Sequence, residues 1–334
     1  MPNLNCVILA AGKGTRMQSK TPKIAHPIMG MPMIRYVVAA ARQLDPAAII
    51  VVIGHESDKV KECLAGDQVL FALQAEQKGT AHALLATEGL LAGGDILVLY
   101  GDVPLIKAAT LRFFMESFWQ SEGIAFMTTK VDRPEGYGRV IVDPAGSIVD
   151  IVEESEAVGP ERDVTLINTG ICMVRRNLFG LVKSVTPENR KGEYYLTDIC
   201  RVARDRGIKV RSHFHEEAGE VLGINTRRDL LEANVLVRNA ILDRHMERGV
   251  TLADRTIYIE AGVAIGPDTT IAPYCHLTGR TEIGEDVVIG PHTLIRDSRI
   301  GKGAFIEGFA FLDGVSVEEG SRIAPFTHLK ERAE

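Results

Sequence analysis

The chain lacks any excess of positive charge. Its 334 residues carry 38 Lys and Arg against 44 Asp and Glu, a net charge of −6, so it has no overall basic balance of the kind a nucleic-acid surface needs. No nucleic-acid partner is expected, and an anionic ligand must be held by local positive charge and a divalent metal. Cysteine is scarce. The five residues (Cys6, Cys63, Cys172, Cys200, Cys275) are odd in number and show no metal-ligand spacing, which argues against a disulfide framework or a thiolate metal site and for buried reduced thiols. Long apolar runs are missing too: none approaches the roughly 18 residues of a membrane span. A strand begins almost at once, without the basic stretch and apolar core of a signal segment. The expectation is a cytoplasmic protein with no membrane partner. Finally, Gly12-x-Gly14 extends to neither the G-x-G-x-x-G fingerprint nor a Gly-Lys-Ser/Thr phosphate loop.

What is present suffices for about two domains with a real core, since 46% of residues are hydrophobic and 25% charged. Short apolar runs at Cys6–Leu9, Ile49–Ile53, Val69–Leu73, Ile96–Leu99, Ile124–Thr129 and Gly170–Val174 read as strands. Helical patterns, as at Met33–Leu44 and Thr80–Leu90, lie between several of them. Such alternation predicts an α/β domain over residues 1–226, a mostly parallel, Rossmann-like sheet with helices on both faces. Residues 227–250 predict a connecting helix, with Leu230, Val237, Ile241 and Met246 on its apolar face and Arg238, Asp243 and Arg244 outside it. Over residues 251–334 the period changes. Ile259, Ile265, Ile271, Leu277, Ile283, Ile289 and Ile295 recur every six residues, Ile300 follows after five, Ile306 and Leu312 after six, Val317 after five, and Ile323 and Leu329 after six. A six-residue aliphatic repeat is the sign of a parallel β-helix, whose coils stack aliphatic residues on one another.

Ligands of open α/β sheets bind at the carboxyl ends of the strands, and the chemistry-bearing residues fall there. Leu9-Ala10-Ala11-Gly12-Lys13-Gly14-Thr15-Arg16-Met17 leaves the first strand. Its small residues let backbone N–H groups approach phosphate, while Arg16 and Lys23 add positive charge; an ordinary strand-to-helix turn has the same glycines. After another strand comes Gln74-Ala75-Glu76-Gln77-Lys78-Gly79-Thr80. There the Gln74 amide can read a base edge, Gly79 allows close approach and Thr80 can cap the helix. His82 reads as a surface or packing histidine. Tyr100-Gly101-Asp102 ends a buried strand; the Asp102 carboxylate suits Mg²⁺ shared with substrate phosphates, or a turn it fixes itself. Glycines near Gly138, Glu153 after Ile151-Val152, and Asn168 can approach a sugar, and each alone is also an ordinary structural residue. Thr197 or Asp198 can cap a helix, Tyr195 reads as core, and Asn225 offers a neutral oxygen to a metal or caps the next helix.

Together these strings, in this order, resemble the sugar-nucleotide pyrophosphorylases, and among them the bacterial N-acetylglucosamine-1-phosphate uridyltransferases, the N-terminal half of a bifunctional enzyme family. The repeat resembles the left-handed hexapeptide family, in which three hexads make a coil, implying about four coils here. By this resemblance UTP and N-acetylglucosamine 1-phosphate are the substrates and Mg²⁺ is held by Asp102 and Asn225. Arg16 and Lys23 are catalytic. Leu9, Ala10, Ala11, Gly12, Lys23, Gln74, Gly79 and Thr80 bind the nucleotide. Tyr100, Gly101, Gly138, Glu153, Asn168, Tyr195 and Thr197 bind the sugar. The β-helix flank implies a homotrimer. The family's acetyl-transfer residues lie in coils past Glu334, and His276, His292 and His328 read as solvated or packing histidines, so no acetyltransferase activity is expected. The alternatives are a pyrophosphorylase for another sugar 1-phosphate, such as glucose 1-phosphate, or another nucleotide; an acyltransferase built on the β-helix; and a non-catalytic β-helix oligomerisation protein.

Overall fold

A computed structural model describes residues 3–12, 14–120 and 123–331; Lys13 of the first loop lies outside them. The chain divides into two compact units, Met1–His26 with Pro32–Thr226, and Pro27–Met31 with Arg227–Glu334.

The first unit is built on a nine-stranded sheet. Its main path runs Val210–Phe214, Ile124–Lys130, Leu166–Val174, Asp95–Tyr100, Leu4–Leu9, Ala48–Ile53, Leu70–Leu73. All of these strands run in one direction except Leu166–Val174, which is antiparallel to both neighbours. The central strand Leu4–Leu9 is buried throughout, as a parallel strand covered on both faces must be. Its alternate side chains feed two cores: Cys6 and Ile8 pack on one face with Val37, Leu111 and Phe114, and Val7 and Leu9 on the other with Leu84, Phe126 and Ile199. Leu9 is level with both Tyr100 and Val52, so the loops that leave these strands start from one edge.

Several elements differ from the sequence expectations. The helix from Met33 stops at Arg42, and the one from Thr80 stops at Leu85, with a separate 3₁₀ turn at Glu88–Leu90. The hairpin Arg139–Val142 with Ile148–Val152, and the edge strand Val210–Phe214, were not expected from the pattern. These strands are short and only partly buried, so they leave no run long enough to stand out.

In the second unit the helix Arg227–Glu247 buries Ala233, Ile241, Leu242 and His245. Met246, expected on the buried face, is 41% exposed, as are Leu231, Val235 and Leu236 to similar or greater degree. The rest is a left-handed β-helix. Among the described residues its three parallel sheets hold five, five and four short strands, making four complete coils and two strands of a fifth. Every one of the thirteen periodic aliphatic residues lies on a strand, and one strand, Thr251–Leu252, precedes them. The column Ile259, Leu277, Ile295, Leu312, Leu329 shows the stacking: successive members pair in register from coil to coil.

Candidate active site

Four polar side chains meet beyond the ends of the central strands. The Lys23 ammonium forms an ion pair with Asp102 and donates to Asn225 Oδ1 at 3.0 Å. Arg16 donates to the same Asn225 oxygen at 2.8 Å. Local backbone geometry holds the group together. Ile224 N–H donates to the Asp102 carbonyl at 2.8 Å, which brings the Asn225 segment to the end of the Asp95–Tyr100 strand. Gly14 sits at φ 60°, and a Cβ there would lie 2.5 Å from Lys23 Cβ, so only glycine lets the loop pass over Lys23. Leu9 accepts from Gly101 N–H at 3.0 Å and Ala10 donates to Val52 at 2.9 Å, which fixes the start of the loop. Gly12 faces open space. The Asp102 carboxylate goes to Lys23, so the self-fixed turn is not its use.

A metal ion fits this donor set. Two hard oxygens, Asp102 Oδ2 and Asn225 Oδ1, already converge on one positive charge, the Lys23 ammonium. Among the described residues no group of three His, Cys, Asp or Glu could hold a metal. Such a site suits a hard cation that completes its shell with substrate phosphates and water.

A second group lies where the Leu70–Leu73 strand ends. The amide nitrogen of Gln74, a residue only 3% exposed, lies 3.0 Å from the Gly79 carbonyl and 3.1 Å from His82 Nδ1. Gly79 adopts φ 110°, and a Cβ there would be 2.4 Å from the Tyr194 carbonyl oxygen. That close crossing is pinned by Tyr194 N–H to Lys78 O (2.7 Å) and Ala81 N–H to Tyr194 O (2.9 Å). Thr80 does not cap its helix: the N-cap is Gly79, without a side-chain cap, and the Thr80 hydroxyl accepts from Leu196 N–H at 2.8 Å.

A third group involves the same crossing segment. Asp198 stands at the N-cap position of the helix Ile199–Arg204 but makes no side-chain cap bond and pairs with Arg201 instead; the Thr197 hydroxyl donates to Glu153 at 2.9 Å. Glu153 flanks Gly138, whose carbonyl accepts from Asn168 N–H at 2.9 Å. Asn168 Oδ1 turns back to Gly170 N–H at 3.0 Å. Tyr195 is buried. Desolvation and the Glu153 carboxylate push the Tyr100 phenol above its ordinary pKa. Gly136 links this group to the first, since a Cβ there would lie 3.5 Å from Arg16 Nη1. Glu154, which no motif singled out, shapes that loop by accepting from Gly136 N–H at 2.9 Å while pairing with the buried Arg139. His82, by its sequence a surface or packing histidine, lies against the Gln74 amide. Its helical position carried no signal of its contact with Gln74.

Desolvation also pushes the Glu153 carboxyl above the usual range, against the lowering effect of the Thr197 hydroxyl. The folded protein therefore holds this proton more tightly than the unfolded chain, and stability falls as pH rises from the ordinary glutamate pKa through the raised one. Glu153→Gln, which keeps an acceptor for Thr197, is expected to raise Tm at pH 8 by about 2–4 °C, with the gain shrinking at pH 4.5. Thermal melts at the two pH values check this; a lower Tm at pH 8 would contradict it.

The comparisons with known proteins agree with this architecture. Residues 6–205 match the model of the MobA-like NTP transferase domain, and residues 262–297 match the bacterial transferase hexapeptide, six repeats. The chain is 43% identical over 335 residues to the bifunctional protein GlmU of Caldanaerobacter subterraneus subsp. tengcongensis, covering 99% of this chain and 72% of that protein. It is 39% identical to the bifunctional protein GlmU of Clostridioides difficile, over 99% of this chain and 73% of the relative. For the bifunctional protein GlmU of Geotalea uraniireducens the identity is 40%, over 100% and 74%. With a nucleotidyltransferase domain on an α/β sheet, a hexapeptide β-helix after it and this level of identity along the whole chain, the protein belongs to the GlmU family.

Proposed function

We infer that the first unit makes UDP-N-acetylglucosamine and pyrophosphate from UTP and N-acetylglucosamine 1-phosphate. The observation that carries the reading is the cluster of Arg16, Lys23, Asp102 and Asn225 at the strand ends of an NTP transferase domain. A phosphate oxygen of the sugar phosphate attacks the α-phosphorus of UTP in line; the bond from that phosphorus to the bridging oxygen breaks, and pyrophosphate carries the electron pair away. The attacking oxygen is already ionised, so no general base is needed. The protein supplies position and relief of charge repulsion. Arg16 clamps phosphate oxygens with its planar guanidinium and Lys23 acts as a point charge. Mg²⁺ held by Asp102 and Asn225 would neutralise phosphate charge. The Leu9–Gly12 backbone borders the nucleotide, with Gln74, Gly79 and Thr80 at uracil. Tyr100, Gly101, Gly138, Glu153, Asn168, Tyr195 and Thr197 hold the sugar. Pyrophosphate release across a panel of nucleotides and sugar 1-phosphates tests this: fastest turnover with UTP and the acetylated sugar is expected, and a preference for glucose 1-phosphate would move the assignment to another pyrophosphorylase.

The second unit forms the oligomer in this reading, as a homotrimer. One corner of the β-helix carries a column of exposed rings, Tyr274, His292, Phe309 and Phe326, with successive centroids 4.9, 4.9 and 5.2 Å apart. Val288 and Phe305 on the adjoining sheet are also exposed, whereas another sheet face shows the charged Glu282 and Arg299. An exposed apolar flank of this kind marks an interaction surface, and three copies around one axis close it. Phe309→Glu is expected to shift the sedimenting species from trimer to monomer at micromolar concentration; an unchanged trimer would remove this column from the interface. The free state of all five cysteines supports a reducing, cytoplasmic setting.

A further inference from the structure

We propose that His82 is a positioning residue for base selection: it accepts the second hydrogen of the Gln74 amide and so commits Gln74 to reading the base with its oxygen alone. The inference rests on Gln74 being the base reader. The geometry has one consistent set of donors and acceptors. The Gly79 carbonyl, 3.0 Å from the amide, can only accept, so the NH₂ group and not the oxygen faces it. That NH₂ group can only donate, so His82 Nδ1, 3.1 Å away, carries a lone pair and the ring proton sits on Nε2. Two hydrogens meet two acceptors, and the amide keeps only Oε1 for a ligand.

This arrangement has a chemical consequence. Uracil presents a donor at N3, which Oε1 accepts. Cytosine presents a lone pair at the same place, so oxygen and nitrogen would face one another with no proton between them. Gln74 is 3% exposed, and a buried mismatch of this kind is not relieved by water. Turning the amide over would present NH₂ to cytosine but would set its oxygen against both Gly79 O and His82 Nδ1. The Gly79 acceptor belongs to the backbone, held by the Tyr194 crossing. The His82 acceptor belongs to a side chain, on the helix Thr80–Leu85, with its ring 6.4 Å from that of Tyr194 and with Glu76 as a charged neighbour.

The experiment measures kcat/KM for UTP and for CTP with the full chain and with Gln74→Ala, His82→Phe and His82→Asn. Losing one acceptor for the amide is expected to lower the UTP/CTP ratio about fivefold in His82→Phe, the equivalent of one ordinary hydrogen bond, with the loss carried by KM for UTP. His82→Asn, whose side-chain oxygen can accept, is expected to restore part of the ratio. A ratio within twofold of the parent in His82→Phe, alongside a collapsed ratio in Gln74→Ala, overturns the role of His82 alone. A ratio unchanged in both overturns the assignment of Gln74. Equal losses for UTP and CTP in His82→Phe make His82 a structural residue and also overturn the proposal. If His82→Phe does not fold, as judged by thermal melting, His82→Leu, which likewise has no acceptor, takes its place with the same readings.

Discussion

Asp102→Ala is expected to remove most of the turnover, on the order of a hundredfold or more in pyrophosphate release at saturating substrates. Asp102 brings a full negative charge to a cluster that otherwise holds Arg16, Lys23 and the neutral Asn225. Without it a divalent cation has one neutral protein oxygen there and must rely on substrate phosphates. Raising the Mg²⁺ concentration should therefore recover part of the lost rate. Asn225→Ala keeps the charge and should mainly raise the Mg²⁺ requirement. Full activity of Asp102→Ala at ordinary Mg²⁺ would refute the assignment. Because the carboxylate also anchors Lys23, Asp102→Asn belongs beside it: it keeps a hydrogen-bond acceptor but not the charge, and should be nearly as impaired.

The second large effect is expected at Lys23 and Arg16. Each replaced by alanine should lower kcat by about a hundredfold while changing KM for UTP much less, because negative charge accumulates around the α-phosphorus as the new bond forms. The two residues reach the site differently. Lys23 is anchored beneath the Gly14 turn and only 15% exposed at its side chain, so a change there also leaves Asp102 unpaired. Arg16 is exposed and reaches in from the loop, so its loss should disturb the ground state less. Steady-state kinetics on both variants checks this. Mutants that raise KM for UTP with kcat intact would make these residues binding contacts only.

The parts of the fold legible from the sequence are those with a strong period. The buried run through Leu9 and the six-residue repeat from Ile259 need no partner to be seen, because burial on both faces or coil stacking imposes the pattern directly. Two residues of the main cluster were legible for a related reason: strands in such sheets deliver their last residues to the ligand edge, and Arg16 and Asp102 lie in the loops that leave the strands Leu4–Leu9 and Asp95–Tyr100. Asn225, by contrast, follows the short helix Ala218–Val221 and stood out only through the family resemblance. The capping roles expected of Thr80 and Thr197 failed because a local pattern cannot reveal a distant partner. Thr80 serves Leu196 N–H and Thr197 serves Glu153, far along the chain in both cases. His82 was missed on the same ground: its identity as an acceptor becomes visible only once Gly79 has fixed the Gln74 amide. The hairpin at Arg139–Val152 escaped because its short strands are only partly buried. Met246 was misplaced because the helix from Arg227 buries a narrower face than its apolar residues would allow.

The two five-residue steps in the repeat, Ile295 to Ile300 and Leu312 to Val317, fall at the same corner in successive coils. Strand pairing passes over them undisturbed: Glu282 pairs with Arg299, and Arg299 with Ser316. In the coil before, the same corner is one residue longer, running from Thr278 to Glu282 where the next coil runs from Arg296 to Arg299. Stacking therefore counts strands and not the residues between them. For protein engineering this makes the turn at Gly314–Val315, between the strands Phe311–Asp313 and Ser316–Val317, a graft point. A short peptide inserted after Gly314 should loop outward and leave the register of the coils on either side intact, whereas the same insertion within Leu294–Arg296 would push Ile295 out of its column.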